Sequence, residues 1–318
     1  MKKTEKIILT ILLFLLSFVP FLWLSKGQLI LGYDAVFPVN PTGFLLDRIY
    51  SWTSVQGFTM DQSGIQGSLI IHFIDSIPYF LGFSAEYAQK IVFSFWFFAI
   101  LFSSYIFISR IEKYGFIKST YLKYLFPVFY TFNFYLLQGW WAIERTKFSL
   151  VVAVPLIFSI ILPMIKEKMS VRKVLTYSAF CSLILTIFNG GGWVGLPLYA
   201  GLFVMLGCFY IFFTFIFLIT HRVKDFFLLN LFFIFFILWH ILLNAYTLLP
   251  FALTTIKSYG DIVISAGGIS GLINWSEYIS ASTSFINLFR LRVYQIGTIM
   301  VDFILIPLSI LIILFLFS

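Results

Sequence analysis

The chain consists of long apolar runs separated by short polar stretches. A run of about 20 apolar residues can cross roughly 30 Å of hydrocarbon as a helix. Helices are expected because the bilayer offers backbone groups no other hydrogen-bond partner. The pattern predicts an all-α, polytopic transmembrane protein with about eight spans: Ile7–Leu24, Ile91–Ile108, Leu122–Leu137, Phe148–Ile165, Val174–Phe188, Leu196–Ile219, Phe226–Leu249 and Ile296–Phe317.

Two shorter apolar segments lie between the first two spans. Apolar and polar residues alternate over Phe44–Trp52, which predicts a short interfacial helix anchored by Tyr50 and Trp52. The other segment, Leu69–Phe83, is interrupted by His72, Asp75 and Pro78. It is too short to cross the membrane, and the pattern predicts a helix that lies at the interface or re-enters it.

The charges predict how the spans are oriented. With the N-terminus inside, the inner segments carry 13 positive and four negative residues, and the outer segments carry eight and nine. This asymmetry follows the positive-inside rule, so we predict a multi-pass protein of the cytoplasmic membrane with a cytoplasmic N-terminus. The first apolar run is long and no small-residue cleavage site follows it, which favours an uncleaved anchor over a signal peptide.

Composition supports lipid as the solvent. Hydrophobic residues make up 61% of the chain, charged residues 11%, and the mean hydropathy is +1.00; a soluble domain is about half apolar and a quarter charged. We predict one transmembrane domain over residues 1–318, with long outer loops at about 26–90 and 250–295. The apolar end leaves open that the chain is the N-terminal part of a longer protein. The net charge of +8 is an orientation signal and does not indicate nucleic-acid binding.

The most informative polar residue is Asp34, in the first outer loop. Pro38 and Pro41 stiffen this loop, and a carboxylate held there suits a general base that activates a sugar hydroxyl. The alternative is a solvated aspartate in a turn. Other acidic residues of the loop that could supply a second polar contact are Asp47, Asp61, Asp75 and Glu86.

Aromatic and basic residues of the outer segments are candidates for binding a substrate. Tryptophan stacks on sugar rings but also anchors helices at the interface, and arginine binds phosphate in a bidentate manner but also contacts headgroups. The candidates are Tyr33, Trp52, Trp140, Trp141, Arg145, Trp193, Arg290 and Arg292. The three histidines and two cysteines are scattered, so we predict no zinc site. The sequence indicates no divalent metal, and the cofactor is left open.

These features together resemble the GT-C fold glycosyltransferases, in particular the arabinofuranosyltransferase-type membrane proteins. The resemblance rests on the N-terminal helix, the loop that opens with Tyr33-Asp34-x-x-x-Pro38, the interfacial helix with Trp52 and the segment Ser284–Leu291. It implies a polyprenyl-phosphate sugar donor, an outward-facing acceptor and Asp34 as the catalytic carboxylate. Many such enzymes carry a paired acidic motif, whereas the residue beside Asp34 is Tyr33.

Two classes of function remain after the sequence analysis. The first is a cell-envelope glycosyltransferase, with a lipid-linked sugar donor, membrane lipids and a glycan, lipid or protein acceptor as partners and no nucleic acid. The second is a transporter, flippase or non-catalytic component of polysaccharide export. A transporter needs polar groups at mid-membrane, whereas the polar residues here crowd the outer loops, which favours the transferase.

Overall fold

The fold is seen in a computed structural model that describes residues 3–23, 25–30, 37–50, 52–55, 58–61, 68–133, 136, 140, 145–167, 169–189, 196–220, 222–250 and 252–253. The described part is helical apart from a two-stranded antiparallel hairpin. Its elements, in chain order, are α1 (Lys3–Leu16), a 3-10 helix (Val19–Leu22), α2 (Pro41–Ile49), β1 (Trp52–Val55), β2 (Phe58–Asp61), α3 (Leu69–Phe80), α4 (Ala85–Lys113), α5 (Leu122–Thr131), α6 (Arg145–Ile161), α7 (Pro163–Lys166), α8 (Val171–Ile187), α9 (Leu196–Ile219) and α10 (Val223–Leu243).

Three helices of the described part are long and apolar enough to cross a membrane. They are α4, the segment Leu202–Ile219 of α9, and α10. At 1.5 Å per residue, the 29 residues of α4 extend about 43 Å, more than the hydrocarbon core of a bilayer. The described part of the protein is therefore helical, with the length and hydropathy expected of a membrane protein.

Each predicted apolar segment that the structure describes contains a helix, but the bounds differ. Helix α1 ends at Leu16 instead of continuing to Leu24, and the separate 3-10 helix follows it. Helix α5 ends at Thr131, whereas the apolar run continues to Leu137. The interfacial segment forms α2, which ends at Ile49, and Trp52 begins a strand instead. The β-branched Thr53 and Val55 favour the extended backbone there. The last predicted span, 296–317, lies outside the described residues.

Local signals account for several helix ends. Asn40 caps α2, because its Oδ1 accepts the Gly43 backbone N–H at 3.0 Å, and Pro41 supplies the fixed φ that suits the first helical position. Ser170 caps α8 in the same way. Helix α4 stops just before Gly115, whose φ of +75° is a backbone conformation that glycine adopts without strain.

The main apolar core is formed by α6, α8, α9 and α10. Its buried residues include Ile157, Leu185, Leu206 and Phe232. Many large apolar side chains on the outer faces of the same helices are exposed instead, among them Phe227 at 67%. Such apolar surface is expected where the surrounding solvent is lipid.

The chain has two compact units, of which Met1–Thr131 with Ala142–Ala252 holds nearly all described residues. The other unit comprises Phe132–Trp141 and Leu253–Ser318. Within the first unit, the Tyr114 hydroxyl after α4 donates to Glu167 Oε1 after α7 at 2.7 Å. The carboxyl ends of α4 and α7 therefore lie at the same end of this unit.

Candidate functional site

Helix α3 buries a row of polar side chains along one face. Polar residues at positions 68, 72, 75 and 76 follow the three-to-four-residue repeat that aligns side chains on a helix. Ser68 Oγ lies 2.9 Å from His72 Nε2. The Ser76 hydroxyl donates to the carbonyl of Pro41 at 2.8 Å, which fastens α3 to the start of α2. A buried polar row in an otherwise apolar helix needs a partner outside that helix.

That partner is Arg145, the first residue of α6. Its Nη1 donates to Oδ2 of Asp75, and both side chains are buried, at 6% and 0% exposure. His72 Nδ1 stands 3.9 Å from the same Oδ2. We call His72, Asp75 and Arg145 the α3 cluster. It joins segments 70 positions apart, and Asp75 and Arg145 compensate each other's charge where neither could be buried alone at acceptable cost.

The environment of the α3 cluster fixes the charge of its histidine. Burial, together with the positive charges of Arg145 and Arg48, lowers the pKa of His72 to about 3. Burial also lowers the pKa of Arg145, to about 10. At neutral pH the cluster therefore contains a neutral imidazole and a charged guanidinium.

Two phenylalanine rings lie against members of the α3 cluster. The guanidinium carbon of Arg145 lies 5.6 Å from the ring centroid of Phe37. The Phe44 ring meets the His72 imidazole edge to face at 4.8 Å, and its own face carries the Arg48 guanidinium at 4.5 Å. These cation–π contacts favour the charged form of the two guanidinium groups next to apolar rings.

The segment that follows the 3-10 helix is held against the amino-terminal turns of α4. Gln89 is fully buried, and its amide pairs with both backbone groups of Ile30: Oε1 accepts the N–H at 2.9 Å and Nε2 donates to the carbonyl at 2.6 Å. Glu86 accepts the Gly27 N–H at 2.7 Å. Phe37, which follows residues 31–36 in the sequence, is buried, and its ring centroid lies 6.1 Å from that of Phe93 on α4.

Two of the residues predicted to bind substrate have a described side chain. Arg145 belongs to the α3 cluster, and Trp140 is buried at 7% exposure in the second unit. Trp52 is described only in its backbone, which pairs with that of Asp61 in the hairpin. The remaining candidates lie outside the described residues: Tyr33, Asp34, Trp141, Trp193, Arg290 and Arg292.

Sequence reasoning treated His72 as an interruption of an apolar run and gave Asp75 no more weight than three other acidic residues. The signal that could have singled them out is their spacing. A histidine and an aspartate three positions apart in an apolar helix share one face, and a buried face of this kind needs a cation from elsewhere. Gln89 was missed because nothing in the local sequence marks an amide that pairs with a distant backbone.

Comparison with known proteins adds no constraint: no family model, curated protein or solved structure matches the chain. Among the described residues, no group of three or more histidine, cysteine or acidic side chains could hold a metal ion.

Proposed function

We propose that the protein is an integral membrane glycosyltransferase of the GT-C type. It transfers a sugar from a polyprenyl-phosphate donor to an outward-facing glycan, lipid or protein acceptor. The observation that carries the proposal is the buried Asp75–Arg145 pair close to Phe37, where the first loop packs against α4. The GT-C topology, with about eight spans and the N-terminus in the cytoplasm, is part of the same proposal.

A donor carried by a lipid needs a cation that stays charged in an apolar environment. Arg145 meets this need for two reasons. Asp75 compensates part of its charge, and its guanidinium has enough N–H donors for more than one contact. A guanidinium has five N–H donors in a planar fork, so it can bind a carboxylate and a phosphate oxygen together. Arg290 and Arg292 are the further phosphate ligands in this proposal.

The catalytic carboxylate is assigned to Asp34. In the sequence it follows Ile30 by four positions and precedes Phe37 by three, and both of these residues are held on α4. Its role is to accept the proton of the acceptor hydroxyl as that oxygen attacks the anomeric carbon. The lipid phosphate leaves with the electron pair of the broken glycosidic bond.

Two contacts support the proposed sidedness. Tyr114 and Glu167 join two segments that the charge distribution places inside. Asp75 and Arg145 join the first two segments that it places outside. Each contact thus joins two segments that the proposed topology places on the same side of the membrane.

A transporter or flippase is the second candidate, favoured by a polar network between α8 and α10. Asn244 Nδ2 donates to Thr186 Oγ1 at 2.9 Å, and it lies 3.2 Å from His240 Nδ1. All three residues are buried, and His240 belongs to a helix that is apolar and long enough to cross a membrane. Polar groups inside such a helix are costly and often mark a transport path.

The deciding experiment measures sugar transfer by the purified protein in lipid vesicles, with radiolabelled polyprenyl-phosphate sugars as donors. We expect Asp34→Asn to abolish transfer while the protein stays folded, because asparagine keeps the shape but cannot accept the proton. Glu5→Gln is the control, since Glu5 is exposed on α1 and is not one of the acidic residues considered for the site. Transfer that survives in Asp34→Asn contradicts the assignment. Lipid flipping without transfer, unaffected by Asp34→Asn, favours the second candidate.

A further inference from the structure

Helices α1 and α4 enclose a groove on the apolar surface. Its volume is about 410 Å³, within the range of sites that hold a small molecule. The α1 wall includes Thr10, Leu13 and Phe14, and the α4 wall includes Phe98 and Phe102. This groove lies apart from the α3 cluster and has no part in the proposed transfer reaction.

The surface of the groove suits hydrocarbon. Its one hydroxyl on α1, that of Thr10, donates to the carbonyl of Lys6 at 2.8 Å and so is already satisfied. On α4, the rings of Phe98 and Phe102 stack with centroids 5.5 Å apart and planes 12° apart, forming a flat apolar wall. A polar ligand would find few hydrogen-bond partners there, whereas an acyl chain needs none.

Helix α1 carries a lysine one turn before the first residue that lines this groove. Lys6 precedes Thr10 by one helical turn, and positions 6, 10, 13 and 14 follow the spacing of a single helix face. Lys6 is exposed. The neighbouring Glu5 lies about 100° away around the helix axis and therefore on a different face from Lys6. From Lys6 to Phe14 the helix rises about 12 Å, slightly less than the roughly 15 Å of one leaflet.

We propose that this groove binds an anionic phospholipid. One acyl chain lies between α1 and α4, and the headgroup phosphate is held by the Lys6 ammonium. The rise of about 12 Å from Lys6 to Phe14 suits one leaflet, and the apolar walls of the groove suit an acyl chain. The Lys6 ammonium suits the phosphate of a headgroup with a net negative charge. In the topology proposed above, this lipid belongs to the inner leaflet.

A second groove on the same protein provides an internal comparison. It lies between α9 and α10, has a volume of about 330 Å³, and is lined in part by Gly207. It contains a polar pair, because the Tyr210 hydroxyl donates to Asn230 Oδ1 at 2.8 Å. A Cβ atom added at Gly207 meets nothing within 4 Å, so a side chain can be introduced at this position without a clash at its first atom.

The test is native mass spectrometry of the purified protein with phosphatidylglycerol or phosphatidylcholine of identical acyl chains. We expect phosphatidylglycerol to be retained in preference to phosphatidylcholine. Lys6→Ala should lower the affinity for phosphatidylglycerol about fivefold, the effect of one lysine near a lipid headgroup. Leu13→Trp should lower the retention of both lipids, because the indole fills the groove.

Two controls separate this site from general lipid adhesion. Lys224→Ala removes an exposed lysine near the start of α10, and Gly207→Leu fills the second groove; neither should change the preference. Equal retention of the two lipids, or an equal loss in Lys6→Ala and Lys224→Ala, overturns the proposal. Unchanged retention in a Leu13→Trp protein that melts at the wild-type temperature overturns it as well. None of these outcomes depends on glycosyl transfer.

Discussion

Replacing Asp75 by asparagine tests whether the α3 cluster is held together by charge. Asparagine has nearly the same volume as aspartate, so the substitution leaves no cavity and removes only the negative charge. Arg145 then remains buried, at 5% exposure, without the carboxylate that compensates it. Removing one partner of a buried ion pair typically costs about 3–5 kcal/mol. At roughly 2 °C per kcal/mol for a chain of this length, the melting temperature should fall by about 6–10 °C.

The chain supplies its own reporter for this measurement. It has two cysteines, of which Cys181 is fully buried and Cys208 is exposed. In a Cys208→Ala background, Cys181 is the single thiol, and a fluorogenic maleimide reacts with it only when the helices separate. The fluorescence of such a dye during heating in detergent therefore reports the unfolding temperature of the core.

A double-mutant cycle isolates the interaction between Asp75 and Arg145. Arg145→Met alone should also destabilise the protein, since it leaves the Asp75 carboxylate buried without its cation. The double variant should lose at least about 2 kcal/mol less than the sum of the single losses, because it removes both charges. The matched control is Asp225→Asn, which breaks the partly exposed pair with Arg222 and should cost no more than about 1 kcal/mol.

Two results would refute this account. If Asp75→Asn lowers the melting temperature no more than Asp225→Asn does, the Asp75–Arg145 contact contributes no more than a surface pair. If the single losses add in the double variant, the two side chains stabilise the protein independently. Either result would also remove the structural support for placing a donor phosphate at Arg145.

Two further predictions concern the same region. Because the folded pKa of His72, about 3, lies below its ordinary value of 6.5, the unfolded chain binds more protons between these values, and stability falls as the pH drops through this window. Between pH 7.5 and pH 5.5 the free energy of unfolding should fall by about 1.4 kcal/mol because of His72. The His72→Gln variant should lack this part of the decrease, and an equal decrease in that variant contradicts the prediction. Gln89→Leu should cost about 1–3 kcal/mol by leaving the Ile30 backbone groups without their amide partner, whereas the exposed Gln28→Leu should leave the melting temperature unchanged; equal effects of the two substitutions contradict the role assigned to Gln89.

The apolar runs of the sequence determined where helices form. The segments later seen as α4, α6, α8, α9 and α10 were all predicted, because hydropathy and helical length are properties of consecutive residues. The ends were less well predicted. Helix α5 stops at Thr131 within its apolar run, and Trp52 begins a strand where the sequence predicts the end of a helix. A helix end depends on capping and packing as well as on hydropathy, so a hydropathy window places it only approximately.

Which polar residues meet was decided by the tertiary structure. Asp75 and Arg145 are 70 positions apart, and Ile30 and Gln89 are 59 apart. Arg145 was singled out as a cation at the outer end of a span, but its carboxylate partner was not, since four acidic residues of the loop were equally placed by sequence. Apolar burial is non-directional and can be read from local composition. A buried charge must instead find one partner at hydrogen-bonding distance, and only the packing of α3 against α6 determines which partner that is.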